Sequence, residues 1–438
     1  MNTDTPEKIR SEFTLPSAQL QHIRELFAEF LPTYQGNASV RLWNGETVIG
    51  KPGNPTTLII RNPAVLRKLV VGQDLLTLGE AFLIGDVDVD GPIEEVFELV
   101  DSLQQHSPRL RLHWLAGLKT LGLPAHYHAK ETRKSRAKRA MRHNSRASIG
   151  HHYDVSNEFY RLWLDPEMVY SCAYFQDTTQ SLAQAQCDKL DYICRKLRLK
   201  PGQKLLDIGC GWGTQILWAA KYYGVTAHGI TLSREQYEYA KARIEHEDLA
   251  ERVSVELCDY RELSPDARYD RIVSVGMFEH VGLRQFPLYF GKVRELLNPD
   301  GLFLNHGITN DAGWRDTPIT RFVNRYVFPD GELTRIGEVN QAMEDAGFEI
   351  IDVENLRPHY ELTCRRWVQR LEAASEQAQK LTNDMTYRIW RLYMAGSAHY
   401  FQQGSLRLYQ VLASVADIPW QLPLRRDDLY TPDGTQIR

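Results

Sequence analysis

The chain has 438 residues, 52 Lys and Arg against 56 Asp and Glu, and a formal net charge of -4. That length favours two domains over one, the balance of apolar and charged residues is that of a globular protein, and the net charge by itself points to no nucleic-acid partner. No apolar run approaches the roughly 18 residues of a bilayer span. The first 14 residues are polar and carry acids, unlike a signal peptide, and the six cysteines form no C-x-x-C pair, which fits a reducing cytosol and speaks against a zinc site or disulfide framework.

In chain order, Leu20, Ile23, Leu26, Phe27 and Phe30 recur at helical spacing, predicting a helix over 17–35 that Pro32 stops. Val40–Trp43 and Glu46–Ile49 flank Asn44-Gly45, a strong hairpin signal. Leu58–Ile60 reads as a short strand; Pro63–Val71 and Ile93–Leu103 read as helices. Residues 1–108 are therefore expected to form a small α+β domain without a His–carboxylate pair or a nucleophile signature. A basic block follows, 109–147, with Arg109, Arg111, Lys119, Lys130, Arg133, Lys134, Arg136, Lys138, Arg139, Arg142 and Arg146 against Glu131. Each such cation near anionic lipid contributes about 1 kcal/mol; RNA attracts it equally, so the block alone does not choose.

A second domain is expected over 148–438. Its organising stretch is Leu205-Leu206-Asp207-Ile208-Gly209-Cys210-Gly211-Trp212-Gly213, an apolar strand ending in three alternate glycines, with the helical pattern Gln215–Tyr223 behind it. Strand, glycine turn and helix form the nucleotide-binding unit of a doubly wound sheet. G-x-G-x-G after an acid favours S-adenosylmethionine over a dinucleotide. Strands are predicted at Val225–Ile230, Val253–Leu257, Tyr269–Val275, Leu302–Leu304 and Phe348–Val353, and helices at Ala183–Leu197, from Ser233 to about Leu249, and at Tyr289–Leu297. Ser233 and Gln236 match a capping box. The alternation implies a parallel sheet covered on both faces, with ligands beyond the carboxyl ends of the strands, where Asp207, Thr231, Asp259, Glu279 and His306 are expected.

His152-Tyr153-Asp154-Val155, Leu164-Asp165-Pro166, Tyr170-Ser171-Cys172-Ala173-Tyr174, the glycine loop, Gly229-Ile230-Thr231-Leu232-Ser233, Phe278-Glu279-His280-Val281-Gly282 and Phe328-Pro329-Asp330-Gly331 together resemble the cyclopropane-fatty-acyl-phospholipid synthases and mycolic acid methyltransferases. The resemblance covers the chain from about residue 148, and Leu78-Gly79-Glu80 resembles the N-terminal domain of the longer bacterial synthases. It implies an α/β fold, a class I S-adenosylmethionine-dependent methyltransferase with a Rossmann-like doubly wound sheet and a smaller N-terminal α+β domain that docks on lipid. The implied activity transfers a methylene group to the cis double bond of a phospholipid acyl chain. Attack on the methyl of S-adenosylmethionine leaves a carbocation, and a base in a water-free site removes a proton to close the ring.

The resemblance makes that base a bound bicarbonate caged by Cys172, Glu279, His306, Ile308 and Tyr360, with the backbone N–H groups of Cys172 and Ile308 on the anion. It assigns the cofactor to Tyr170, Ser171, Asp207, Gly209, Cys210, Gly211, Gly213, Thr231, Leu232, Gln236, Tyr260 and Arg261, and implies no metal. Singly, Cys172 reads first as a core cysteine, His306 as a strand-end histidine and Tyr360 as a surface aromatic; together with the surrounding motifs the functional reading leads. A carboxylate after an apolar strand, Glu279, needs a reason to be near the core. Two positions depart from the family pattern. Gly307 stands where the family has Thr, a lost hydroxyl expected to loosen the cage or change the product. Ser397 stands where a cysteine once regarded as catalytic is found. Expected partners are an unsaturated membrane phospholipid, met peripherally at the inner membrane face from the cytoplasm, and, as one option, a second copy of the chain as a homodimer; nucleic acid is not expected. The alternatives are a methylene- or methyl-branched product, or a small-amine N-methyltransferase.

Overall fold

The computed structural model describes residues 15–51, 53–72, 74–110, 123, 155–312, 317–328, 331–420 and 422–430. The opening residues, the basic block from Arg111 onward, His152-Tyr153-Asp154 and Pro329-Asp330 lie outside them.

The chain divides into two compact units. The first carries a four-stranded sheet of β1 (Ala38–Arg41), β2 (Thr47–Ile49), β3 (Thr56–Ile60) and β4 (Val87–Asp90), in the order β2-β1-β3-β4. β1 and β2 are the antiparallel pair expected around Asn44-Gly45, and Gly45 takes a φ of 85° there. The helix Ser17–Phe30 ends one residue before Leu31, ahead of Pro32, and lays Ile23, Leu26, Phe27 and Phe30 into the core. Residues 317–327 and 375–399, read from sequence as part of the second domain, pack with this unit instead. They bring His399, whose Nε2 lies 2.7 Å from Asp101 Oδ2, so the unit holds a His–carboxylate pair that its own stretch of sequence did not reveal. Ser397 sits in the same returning segment.

The second unit is built on seven strands: β5 (Lys204–Ile208), β6 (Thr226–Thr231), β7 (Val253–Leu257), β8 (Tyr269–Val275), β9 (Leu297–Asn310), β10 (Phe348–Asn355) and β11 (Leu406–Val415), ordered β10-β11-β9-β8-β5-β6-β7. β5 to β9 are parallel neighbours. β11 runs antiparallel between β9 and β10, so the sheet is mixed where alternation alone predicted a parallel one. Strand order reverses at β5, between β6 on one side and β8 on the other, which is where an open α/β sheet leaves a crevice.

β11 also corrects β9. The sequence suggested Leu302–Leu304, with Asn298–Gly301 closing the preceding helix; the strand instead spans Leu297–Asn310. β11 pairs with it continuously from Leu302 to Asn310 and supplies the ladder that the chain's local pattern does not announce. His306 therefore lies inside a strand, level with Val275 at the end of β8.

Candidate active site

The turn after β5 holds Gly209, Gly211 and Gly213 at φ values of 84°, 55° and 83°, a left-handed region that side chains resist. It delivers the N-terminus of the helix Thr214–Tyr223, whose free N–H groups favour an anionic or electron-rich ligand. Beside it opens a cavity of about 300 Å³, wholly within the second unit.

Four walls enclose this cavity. The first comes from Met168, Val169, Tyr170 and Ser171. The buried Asp165 carboxylate fixes it by accepting the N–H groups of Glu167 at 3.0 Å and Val169 at 2.9 Å. The glycine turn, with Asp207, Gly209, Cys210 and Gly211, is the second. The ends of β6 and β7 give the third, with Thr231, Leu232, Gln236, Asp259, Tyr260 and Arg261. The fourth is the segment after β8, including Met277, His280 and Val281. The cavity thus gathers every predicted cofactor residue except Gly213, which caps the helix instead; a Cβ there would lie 2.9 Å from Ala240 Cβ, so its lack of a side chain serves packing against the helix Arg234–His246.

The capping box is only half made. Ser233 Oγ accepts the Gln236 N–H at 3.3 Å, but the Gln236 side chain turns to Thr231, whose hydroxyl donates to Oε1 at 2.8 Å and accepts the Ser233 N–H at 3.2 Å. That leaves the Gln236 amide facing the cavity, where sequence offered it as the substitute for a ribose-binding acid. Asp259 grips the Arg261 guanidinium at 2.8 and 2.6 Å, so this arginine is held at the cavity wall.

The predicted chemical group lies at the other side of β8. Gly276 N–H donates to His306 O at 2.8 Å, the last step of the β8–β9 ladder. The chain then turns away at Gly276, with φ at 68°. The next acceptor that the Ile308 N–H would have met is gone, and Glu279 Oε1 replaces it at 2.6 Å. This corrects one expectation: the Ile308 N–H implied to face an anion is given to Glu279. The other carboxylate oxygen, Oε2, is buried without a hydrogen-bond partner. Burial pushes the Glu279 carboxyl up to about 7, against the pull of the Ile308 N–H.

His306 and Ile308 share one face of β9, as alternate residues do. Gln410, opposite His306 on β11, sets its Nε2 3.1 Å from Nδ1, so the imidazole accepts there and carries its proton on Nε2. Nε2 is buried and unpartnered, and burial, with the charges of Lys189 and Lys196, holds the ring neutral by lowering its pKa to about 3. Cys172 and Tyr360 share an anchor in Leu356, whose carbonyl takes the Tyr360 N–H at 3.1 Å and the Cys172 thiol at 3.9 Å. Leu356 N–H in turn bonds Leu408 O, and Leu408 is the register partner of Ile308. Burial drives the Cys172 thiol strongly upward, so it is no thiolate nucleophile. Tyr360 is not a surface residue: it is buried in the first turn of the helix Arg357–Ala373, its ring 4.7 Å from that of Phe401.

Gly307 faces away from this group. A Cβ on it would meet Phe278 Cε1 at 2.0 Å. Phe278 belongs to the core cluster on the opposite face of the sheet, so a side chain at 307 would point there and not at His306 or Glu279. The expected loosening of the cage by a missing hydroxyl has no geometrical basis; the glycine makes room for the ring that precedes Glu279.

Comparison with known proteins agrees with this geometry. Residues 140–411 match the family described as mycolic acid cyclopropane synthetase. This chain belongs to that family. A probable fatty acid methyltransferase of Pseudomonas putida is 38% identical over 398 residues, 89% of this chain and 95% of that protein. The cyclopropane-fatty-acyl-phospholipid synthase of Escherichia coli strain K12 is 35% identical over 364 residues, 82% and 88% of the two chains. The crystal structure of the mycolic acid cyclopropane synthase CmaA1 complexed with SAH and CTAB is 34% identical, covers 61% of this chain and 97% of its own, and superposes with a TM-score of 0.58. Residues 27–108 match a separate domain of unknown function. The protein is an S-adenosylmethionine-dependent methyltransferase of this cyclopropane synthase family, with a class I methyltransferase fold.

The sequence reading missed Lys189 and His280, both at the cavity. A signal for Lys189 existed. On the helix Leu182–Lys196 the buried positions include Leu182, Ala185, Gln186, Leu190 and Ile193, and the lysine lies on that stripe. For His280 the motif was noticed, but nothing in it separates a wall residue from a turn residue; burial lowers its pKa to about 4, so it is a neutral imidazole.

Proposed function

We propose that the enzyme transfers the methyl carbon of S-adenosylmethionine to the cis double bond of an unsaturated acyl chain in a membrane phospholipid, and that loss of a proton closes a cyclopropane, with bound bicarbonate as the base. The cofactor supplies an electrophilic carbon on a sulfonium. The residues of the chain orient it, exclude water and hold the proton acceptor. What carries the reading is the pair of buried, unpartnered polar atoms, Glu279 Oε2 and His306 Nε2, on residues flanking the end of β8.

These two atoms fit an oxyanion. The neutral His306 offers an N–H donor, and Glu279, with its carboxyl near 7, can hold the proton that lets it donate to an anion instead of repelling it. The Ile308 N–H is committed to Glu279, so its help is indirect: it fixes the carboxyl group. The names of the relatives support a lipid acyl chain as substrate. The greater identity and coverage of the fatty acid methyltransferase favour a second reading, in which the same cation loses its proton elsewhere and leaves a methylene branch. The basic block would bring the enzyme to anionic lipid.

Expression in a host lacking such an enzyme, followed by mass spectrometry of its lipids, tests the proposal. The expected product gains one CH2 and resists mild hydrogenation of alkenes. A methylene branch takes up hydrogen. No modified acyl chain in any lipid class would refute both readings. Sedimentation with anionic vesicles, reversed by salt, tests the membrane contact.

A further inference from the structure

Glu279 sits in a short turn, Phe278–His280, that follows β8. Inside the turn His280 N–H bonds Met277 O at 3.0 Å, and Val281 N–H bonds Phe278 O at 3.0 Å. The carbonyl of Glu279 is taken from outside it, by the N–H of Glu332 at 3.3 Å. The side chain of the same residue reaches further along the chain, where Glu332 Oε2 accepts the Leu283 N–H at 3.3 Å. Between these two ties Gly282 bends the backbone with φ at 77°, and a Cβ on it would lie 3.4 Å from Glu332 Oε2. The residues after Glu332 bond the end of β9. Thr334 O accepts the Asn310 N–H at 3.0 Å, and Leu333 O accepts from Asn310 Nδ2 at 3.4 Å. Asn310 closes the strand that carries His306 and Ile308. Residues 332–334 therefore join the turn that bears Glu279 to that strand.

The bond from Ile308 N–H to Glu279 Oε1, at 2.6 Å, is a side-chain contact made past the point where the β8–β9 ladder ends. A rotatable side chain keeps one such contact only when the backbones on both sides are fixed, because ordering it costs entropy. We propose that Glu332 is a positioning residue for the reaction: its two ties set the Glu279 turn against β9, so that the carboxyl group meets the Ile308 N–H and Oε2 is aimed at the oxyanion held with His306. Glu332 is not among the residues that line the cofactor cavity, so it acts on the chemistry and not on cofactor binding. This rests on the role proposed above for Glu279.

Turnover across pH tests it, measured at saturating S-adenosylmethionine on vesicles of a cis-monounsaturated phosphatidylglycerol, beside calorimetry with S-adenosylhomocysteine. Glu332→Ala is expected to lower turnover about 10- to 100-fold, the cost of a misplaced reacting group, and to keep the wild-type affinity for S-adenosylhomocysteine. Its alkaline limb should also move to higher pH. The Ile308 N–H pulls the Glu279 carboxyl down against burial, and a loosened turn weakens that pull. Glu332→Gln keeps an oxygen for the Leu283 N–H and should restore both the rate and the limb. A merely structural role would lower the melting temperature and leave the limb where it was, which overturns the proposal. Should Glu332→Ala not fold, Glu332→Asp, shorter by one methylene, decides by the same limb, and a limb at the wild-type pH overturns it. Glu279→Gln separates this inference from the reading beneath it. Undiminished turnover there overturns both; diminished turnover there, with wild-type turnover in Glu332→Ala, overturns the positioning role alone.

Discussion

The two halves of the active site are made in different ways. The cofactor half is assembled from short contiguous stretches: 168–171, which belongs to no strand, and 207–211, 230–236 and 258–261, where strands give way to turns. Its decisive geometry is backbone, with glycines at positive φ and a helix N-terminus. The Glu279 half is assembled across the chain. Glu279 is held by Ile308 and His306 by Gln410, through side chains and strand register. A backbone cradle gives a site that many chemistries share; a register-built edge gives the part that can be particular to one reaction.

Glu279→Gln should separate them most sharply. The amide keeps the size of the side chain and can still accept from Ile308, but it offers the anion a weaker N–H donor in place of the carboxyl O–H. Turnover is expected to fall about 10²- to 10³-fold, the range for losing a donor to an oxyanion, while S-adenosylhomocysteine affinity measured by calorimetry stays at the wild-type value. Undiminished turnover would remove the oxyanion half of the mechanism and favour a methyl transfer to nitrogen.

The halves should also respond to pH with opposite signs. Asp207 must be charged to meet an ammonium; with its carboxyl near 7, cofactor affinity falls as pH drops below that value. Affinity is therefore greatest above about 7, and declines about tenfold per unit below it. Glu279 is useful in its neutral form, which exists below about 7, so turnover at saturating cofactor declines on the alkaline side. A bound anion nearby raises that limb further. Binding isotherms across pH, set against turnover at saturation, would show whether the two profiles cross as expected.

This division also explains what the sequence disclosed. The glycine loop, the strand before it and the ends of β6, β7 and β8 were legible because each motif is local and its spacing is set by one turn. β11 was not: its ten residues give no clue that they insert antiparallel between β9 and β10. Hence His306 reads from the sequence as a strand-end residue and β9 as a shorter strand, and nothing local marks Gln410 and Leu408 as partners. The return of 317–327 and 375–399 to the first unit was hidden for the same reason, since nothing local marks which core a helix will join. Lys189 differs, because a lysine within an apolar stripe is visible in the sequence.

Gly307 offers a smaller perturbation of the register-built half alone. In Gly307→Thr the new Cβ would overlap the Phe278 ring, which is 2% exposed and packed against Phe286 at 5.9 Å, so it cannot swing clear. Overpacking of this kind costs about 1–3 kcal/mol, and thermal unfolding should register it. Because Phe278 precedes Glu279, turnover should fall with stability while cofactor affinity holds. Adding Phe278→Leu should restore part of both. An unchanged melting temperature in the single variant would mean that the ring moves freely.

The mildest test lies in the cofactor half, at Thr231. Its hydroxyl does two tasks, donating to Gln236 Oε1 at 2.8 Å and accepting from Ser233 N–H at 3.2 Å. Thr231→Val preserves shape and removes both. The backbone cradle of glycines is untouched, so the cavity should persist. What changes is the aim of the Gln236 amide and the entry to the helix Arg234–His246, each bond contributing about 1 kcal/mol. The expected loss is therefore about fivefold in S-adenosylhomocysteine affinity, with turnover at saturating cofactor unaltered, since no link from Thr231 reaches Glu279. Gln236→Ala should give a loss of the same size, and the double variant no more than either alone, because Thr231 acts on the ligand through Gln236. Additive losses would show instead that the Thr231 hydroxyl meets the cofactor itself.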